Sequence, residues 1–272
     1  MNCKDTAVYR AFVQTRSGRI HIACSGSGFP VLLLHQTPRS WDEYRDVLPI
    51  LGQDYRAIAM DTVGFGDSQA LPAAQNSIED WSGAAFDLLD ALDISRAAIV
   101  GHHTGAVIAL EMAVSRPDRI AALGLSSMPF VDAERRAGHH GKRVIDDVEH
   151  RASGDHLTEL WLRRKPFYPD GDVDLLERFM VDALKAGSLA VEGHQVVNRY
   201  RMEARLPLIS CPTLVIAPTA DPHAYPVAAR VAQTIPGSTL IEIEGGMVPL
   251  PDQMPQQFAA MIKGFLAGVQ LN

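Results

Sequence analysis

Cysteine is scarce in this 272-residue sequence: Cys3, Cys24 and Cys211 form an odd, scattered set with no ligand spacing. That excludes a disulfide-stapled secreted scaffold and supplies no thiolate metal site. Aromatic residues are few, at 7%, and neither sign of charge dominates strongly, with 25 Lys and Arg against 32 Asp and Glu. The resulting net charge of -7 argues against nucleic-acid binding as the main function. Long apolar runs are missing as well; Val31 to Leu34 is far too short to span a bilayer. No basic start leads into an apolar stretch of the signal-peptide kind, so the expected location is the reducing cytoplasm, without a membrane partner. What the chain does have is 47% hydrophobic residues, enough for one large core or a core with an insert.

The charges are unevenly spread. Residues 130–205 carry 13 Lys and Arg and 14 Asp and Glu in 76 positions, leaving 12 and 18 over the other 196. This composition shift predicts a core built from 1–129 and 206–272, interrupted by an insert at 130–205. The core segments alternate strand and helix signals. Val8 to Thr15 and Arg19 to Ser25 read as a hairpin about Ser17-Gly18. Val31 to His35, Tyr55 to Asp61, Ala97 to Val100, Ile120 to Ser126, Thr213 to Ala217 and Thr239 to Glu244 read as strands. Between them, helical spacing runs over Ser40 to Leu51, after a Ser77 N-cap, and over Thr104 to Arg116, Val227 to Thr234 and Gln256 to Leu266. The alternation predicts an α/β fold with a mainly parallel, doubly wound central sheet. In the insert, Leu157, Leu160, Trp161, Leu175, Leu176 and Phe179 are spaced for helices, so it is expected to be a helical lobe over one end of the sheet.

The most informative stretch is Ile99-Val100-Gly101-His102-His103-Thr104-Gly105-Ala106. A strand turning sharply into a helix needs small residues where backbones meet, here Gly101 and Gly105. The residue between them is pushed into a strained, exposed position above a helix N-terminus that favours developing negative charge. With His35-Gln36-Thr37-Pro38, Asp61-Thr62-Val63-Gly64-Phe65-Gly66-Asp67-Ser68 and Asp221-Pro222 on their expected elements, the chain resembles the α/β-hydrolase superfamily over nearly its whole length. The resemblance implies the α/β-hydrolase fold with a helical cap at 130–205 and a small-molecule substrate. It also implies no cofactor and backbone N–H groups of Thr37 and Thr104 as oxyanion donors.

The departures from that family's pattern set the chemistry. Where G-x-S-x-G holds its nucleophile stands His103, and where G-x-G-H-x-P holds the catalytic histidine stands Met247. A thioether exchanges no proton, so a Ser-His-Asp mechanism is not available. An imidazole is the one side chain whose unperturbed titration falls near neutral pH, and Asp221, reaching His103 directly or through water, would select its tautomer. The pair then suits hydrolysis of an ester, lactone or C–C bond in a partly apolar carbonyl compound, His103 acting as base or as nucleophile. Lyase or decarboxylase chemistry with His103 as base, or ligand binding without turnover, stand as alternatives. His35, Gln36, Arg39, Trp161, His194, Tyr200, His223 and Met247 are the candidates for the substrate pocket. For Arg39 a surface ion pair is the competing role, and for Trp161 a place in the lobe's own core. The adjacent His102 and His103 point apart and are not expected to bind metal. The chain is left open to being a monomer or a homodimer.

Overall fold

The chain opens with a hairpin, β1 (Tyr9–Thr15) and β2 (Gly18–Ser25), closed by Gly18 at φ +106°. The computed structural model describes residues 6–72 and 75–271, so Cys3 lies outside the described residues. Six further strands follow: β3 (Pro30–Leu34), β4 (Arg56–Met60), β5 (Ala97–His102), β6 (Ile120–Ser126), β7 (Thr213–Pro218) and β8 (Thr239–Ile243). They form one sheet in the order β1-β2-β4-β3-β5-β6-β7-β8. Pairs β1/β2 and β2/β4 are antiparallel and the rest are parallel. The α/β expectation of a mainly parallel, doubly wound sheet therefore holds.

The helices are α1 (Leu48–Leu51), α2 (Ile78–Ala91), α3 (Thr104–Ser115), α4 (Ala133–His139), α5 (Asp155–Arg164), α6 (Val173–Ala186), α7 (Leu189–Arg199), α8 (Tyr225–Thr234), α9 (Leu250–Gln253) and α10 (Pro255–Ala267). Strand side chains alternate between two cores. Leu32 and Leu34 of β3 face a core shared with α2 and α3, while Val31 and Leu33 face one shared with α1 and α10. Both faces are covered, which is why β3 reads as an unbroken apolar run. Each fully buried aliphatic side chain contributes about 1.5–3 kcal/mol. Ser77 caps α2 as its sequence suggested, accepting the Asp80 N–H.

One helix departs from its expected form. Ser40 to Leu51 is a 3-10 turn over Trp41–Tyr44 followed by the single-turn α1. The Trp41 N–H donates to Asp61 Oδ1 at 2.6 Å, and Pro49 has no N–H to give. Both remove donors that a continuous helix would use.

Between β6 and β7 run α4 to α7, with no strand among the described residues. Leu160, Tyr168, Leu175, Leu176, Phe179 and Ala183 form a small cluster of their own there. In contrast, Ala190, Val196 and Val197 of α7 join the main core, anchoring this segment over the C-terminal ends of β5 and β6.

Candidate active site

Strand β5 ends at His102 and α3 begins at Thr104, so His103 alone makes the turn. Its backbone sits at φ +46° and ψ −110°, a conformation that residues with a β-carbon rarely adopt. Two close approaches enforce it. A β-carbon on Gly101 would lie 2.1 Å from the Gly105 carbonyl oxygen, and one on Gly105 would lie 1.9 Å from that of Leu34. Gly105→Ala is accordingly expected to cost about 3 kcal/mol or more, since backbone and not a flexible side chain must move. Gly83→Ala in α2, where an added β-carbon meets nothing within 4 Å, is expected to be neutral or slightly stabilising. Urea unfolding of both variants checks this; equal midpoints would contradict the packing account.

The loop after β7 brings Asp221 to the same place. Its Oδ1 accepts the N–H groups of His223 and Ala224 at 2.9 and 3.1 Å, which fixes the carboxylate. Its Oδ2 lies 2.9 Å from His103 Nε2, with Asp221 fully buried and the His103 side chain 16% exposed. The ring N–H does not point along that line, so the two atoms are in close contact without a well-aligned hydrogen bond. Burial pushes the Asp221 carboxyl up, but attraction to His103 and the His223 N–H outweighs it and holds the group below the usual aspartate range. With Nε2 turned to Asp221, His103 Nδ1 has no protein partner among the described residues.

The Thr37 N–H donates to Thr104 Oγ1 at 3.3 Å, a long bond that a substrate oxygen can displace. Thr104, first in α3, has no intrahelical acceptor for its own N–H. The loop carrying Thr37 is held by Glu43, which accepts the Gln36 backbone N–H at 2.9 Å and its side-chain amide at 2.5 Å. Burial drives the Glu43 carboxyl up to about 8, more than Arg39 and these bonds lower it. His102 is structural: Nδ1 meets Ser126 Oγ at 2.9 Å and Nε2 meets the Val248 carbonyl at 2.8 Å. Burial and the neighbouring His103 push it down to about 3, so it is neutral.

A cavity of about 230 Å³ opens beside His103. Gln36, Thr37, His103, Thr104 and Val248 line its core side; Arg135, Ile145, Arg164, His194 and Asn198 line the side facing α4 to α7. His223 stands at its exposed rim against the Phe167 ring, 4.8 Å between centroids.

Five candidates lie elsewhere. Arg39 is neither at the pocket nor in a surface pair: it is wholly buried, with Nε 2.9 Å from Asp182 and Nη1 on Asp252. His35 is buried behind the loop, accepting the Thr62 N–H on Nε2 at 2.9 Å and donating from Nδ1 to the Gln36 carbonyl at 2.8 Å. Trp161 borders a separate surface hollow beside the lobe's own apolar cluster. Tyr200 donates to Glu111 Oε2 at 2.5 Å, a carboxylate also paired with Arg205, in a different hollow. Met247 does not line the cavity; its backbone N–H donates to Gln253 Oε1 at 2.7 Å, and the next residue, Val248, is on the wall.

Sequence reasoning missed Arg135, His139, Arg143, Arg164 and Asn198 on the wall. Arg164 and His194 share buried Asp146, with Arg164 Nε 2.7 Å from Oδ1 and His194 Nε2 2.8 Å from Oδ2. Burial raises that carboxyl, but Arg164 and His194 bring it down to about 2. The helical spacing of this segment carried no sign of which charges would meet. It also missed a cluster of His21, Asp61 and Asp67, whose ligand atoms lie within 4.8 Å of one another. Its oxygens are already engaged by His21 Nδ1, the Asp67 and Trp41 N–H groups, Arg10 and Lys185. Asp61 thereby pins the loop that follows β4.

A family model described as the alpha/beta hydrolase family matches residues 24–261. Over 110 residues the chain is 37% identical to a 2-hydroxymuconate semialdehyde hydrolase from Pseudomonas sp. strain CF600, covering 39% of each protein. Over 222 residues it is 28% identical to haloalkane dehalogenase 2 of Mycobacterium bovis, covering 81% of this chain and 70% of that one. The matched regions span less than half the length of the epoxide hydrolases and the semialdehyde hydrolase among its curated relatives. Among solved structures, a malate-bound thermophilic esterase from Thermogutta terrifontis superimposes with TM-score 0.77 at 25% identity, covering 95% of this chain and 98% of that one.

Proposed function

Because the chain belongs to the alpha/beta hydrolase family, we propose that it hydrolyses a small, partly apolar carbonyl compound, an ester, lactone or activated C–C bond, at His103 and Asp221. The observation that carries this reading is the 2.9 Å approach of His103 Nε2 to buried Asp221, on a cavity that also holds Thr37 and Thr104. The ordinary catalytic base is replaced by Met247, so the proton has to be moved by the elbow residue itself. The negative charge of Asp221 beside Nε2 favours the proton on that nitrogen, and the contact aligns as a hydrogen bond when substrate is bound, leaving Nδ1 as the basic nitrogen. Nδ1 takes a proton from water while that oxygen bonds to the carbonyl carbon. The carbonyl oxygen, now negative, is stabilised by the N–H groups of Thr37 and Thr104 and the N-terminal end of α3. Collapse breaks the bond to the leaving group, which takes the proton back from Nδ1. Pro129, Val144, Val197 and Val248 supply the apolar wall.

The helices α4 to α7 act in this reading as a cap that excludes bulk water from the cavity. At about 230 Å³ it is smaller than the usual drug-sized site, which restricts the substrate to a compact molecule.

The experiment is steady-state hydrolysis of short-chain aryl esters and γ-lactones by the wild type and Asp221→Asn. The variant is expected to lose about 10²–10⁴ in kcat, with KM little changed, because the tautomer and the imidazolium partner are lost together. Undiminished turnover in Asp221→Asn would remove the dyad. A stability signature accompanies it. The folded-state pKa of Asp221 is depressed, so its ionisation stabilises the fold above the ordinary aspartate value and that contribution is lost as pH falls below it. The thermal midpoint difference between wild type and Asp221→Asn should be present at pH 5 and shrink below about pH 4.

A further inference from the structure

The cavity wall has an uneven charge content for a protein of net charge -7. Three arginines and four histidines line it, and no Asp or Glu does among the described residues. Two of those arginines are neutralised. Arg164 is paired with Asp146, and Arg143 Nε lies 3.1 Å from Asp147. Arg135 differs. It forms no ion pair with a carboxylate among the described residues, and its side-chain bond is from Nε to Asn198 Oδ1 at 3.3 Å. The neighbouring acid, Asp132, is already used: one oxygen accepts the Arg135 backbone N–H at 2.9 Å and the other pairs with Arg230 at 2.8 Å. Partial burial of the guanidinium penalises its charge, and Asp132 offsets this only in part. Both terminal NH₂ groups of Arg135 are left without a protein partner.

A half-buried guanidinium with open donors in a wall free of acids is an anion receptor in want of an anion. We infer that Arg135, with the Asn198 side-chain amide beside it, binds a carboxylate carried by the substrate at a position away from the bond that reacts. This rests on the cavity assigned above and narrows its substrate class to carbonyl compounds that are also carboxylic acids. The fork geometry of the guanidinium matches the two oxygens of a planar carboxylate. Arg135 thus serves binding and orientation, and takes no part in the bond-breaking step.

Calorimetric titration with benzoate, its neutral counterpart benzamide, and inorganic phosphate tests the inference. The wild type is expected to bind benzoate at least tenfold tighter than benzamide, and phosphate more weakly than benzoate. Arg135→Gln should weaken benzoate binding roughly ten- to hundredfold while leaving benzamide unchanged. Arg135→Lys, which keeps charge without the fork, should fall between them. If Arg135→Gln does not fold, the wild type alone is decisive: added NaCl should weaken benzoate binding and spare benzamide. His103→Ala is measured in parallel, so that a failure of hydrolysis is told apart from a failure of this site; it should keep its preference for benzoate. Equal affinity for benzoate and benzamide, no binding of benzoate by the wild type, a preference that survives Arg135→Gln, or tighter binding of phosphate would each overturn the proposal.

Discussion

Replacing His103 with alanine is expected to lower kcat for short-chain esters by about 10²–10⁴-fold, the range a positioned general base contributes. The argument is one of inventory. Among the groups on the cavity's core side, Gln36, Thr37, Thr104 and Val248 have no side chain able to accept a proton near neutral pH. His102, the adjacent imidazole, has both ring nitrogens engaged and is held neutral by burial. His223 at the rim and His194 across the cavity remain in the variant, and they set the residual rate. His103→Asn is a useful companion, because Asn tolerates positive φ better than Ala and separates lost chemistry from lost turn geometry. Both variants should show the same small KM change and the same large fall in kcat. Mass spectrometry of rapidly quenched enzyme then distinguishes the two uses of Nδ1. An acyl adduct on His103 during turnover means direct attack on the carbonyl; its absence leaves activation of water. If His103→Ala turns over as fast as the wild type, the assignment of His103 fails.

The second large effect is on stability. Arg39→Met should destabilise the fold by about 3–5 kcal/mol at pH 7, the usual result of stranding buried partners of a removed charge. Arg39 is wholly buried between Asp182 of α6 and Asp252 of α9, and Ser40 also donates to Asp182 at 2.8 Å. Arg178 Nη2 stays 2.7 Å from Asp252, so the loss falls most heavily on Asp182. Burial already raises the Asp252 carboxyl despite both arginines. Without Arg39 the Asp252 carboxyl is driven further toward its neutral form. The deficit should therefore be largest at neutral pH and shrink as pH is lowered and Asp252 protonates. Denaturant unfolding at pH 7 and pH 5 measures this, and Arg39→Met combined with Asp182→Asn should recover part of the loss. A single variant within 1 kcal/mol of wild type would show that the network is not a stabilising latch between α6 and the core.

Much of the core was legible because its signals are local. Val31 to Leu34, Ile99-Val100 and Ile120 to Leu125 are apolar runs with both faces covered, and each became a strand. The elbow was legible because Gly101 and Gly105 flank the one residue that must turn there. Even the meeting of His103 with Asp221 follows from strand order. They leave β5 and β7, two strand spacings or roughly 10 Å apart across β6, and their side chains close that gap. Arg39 was the clearest misreading. Its acids stand 143 and 213 residues further on, and no local pattern announces them. Tyr200 failed for the same reason, since its partner Glu111 is 89 residues away.

The sequence by itself determined the alternation of strand and helix and the turn at His103. Those depend on residue type and on neighbours within a few positions, where backbone sterics and side-chain chemistry act. Tertiary structure alone decided that Arg39 and Arg164 are cancelled against buried acids, with Arg135 left open to the cavity. It also decided that His103 Nε2 lies 2.9 Å from a carboxylate. Pairing and burial of charge are properties of segments brought together from far apart in the chain. The packing of the segment between β6 and β7 against the core brings Arg135, Arg164 and His103 to one cavity.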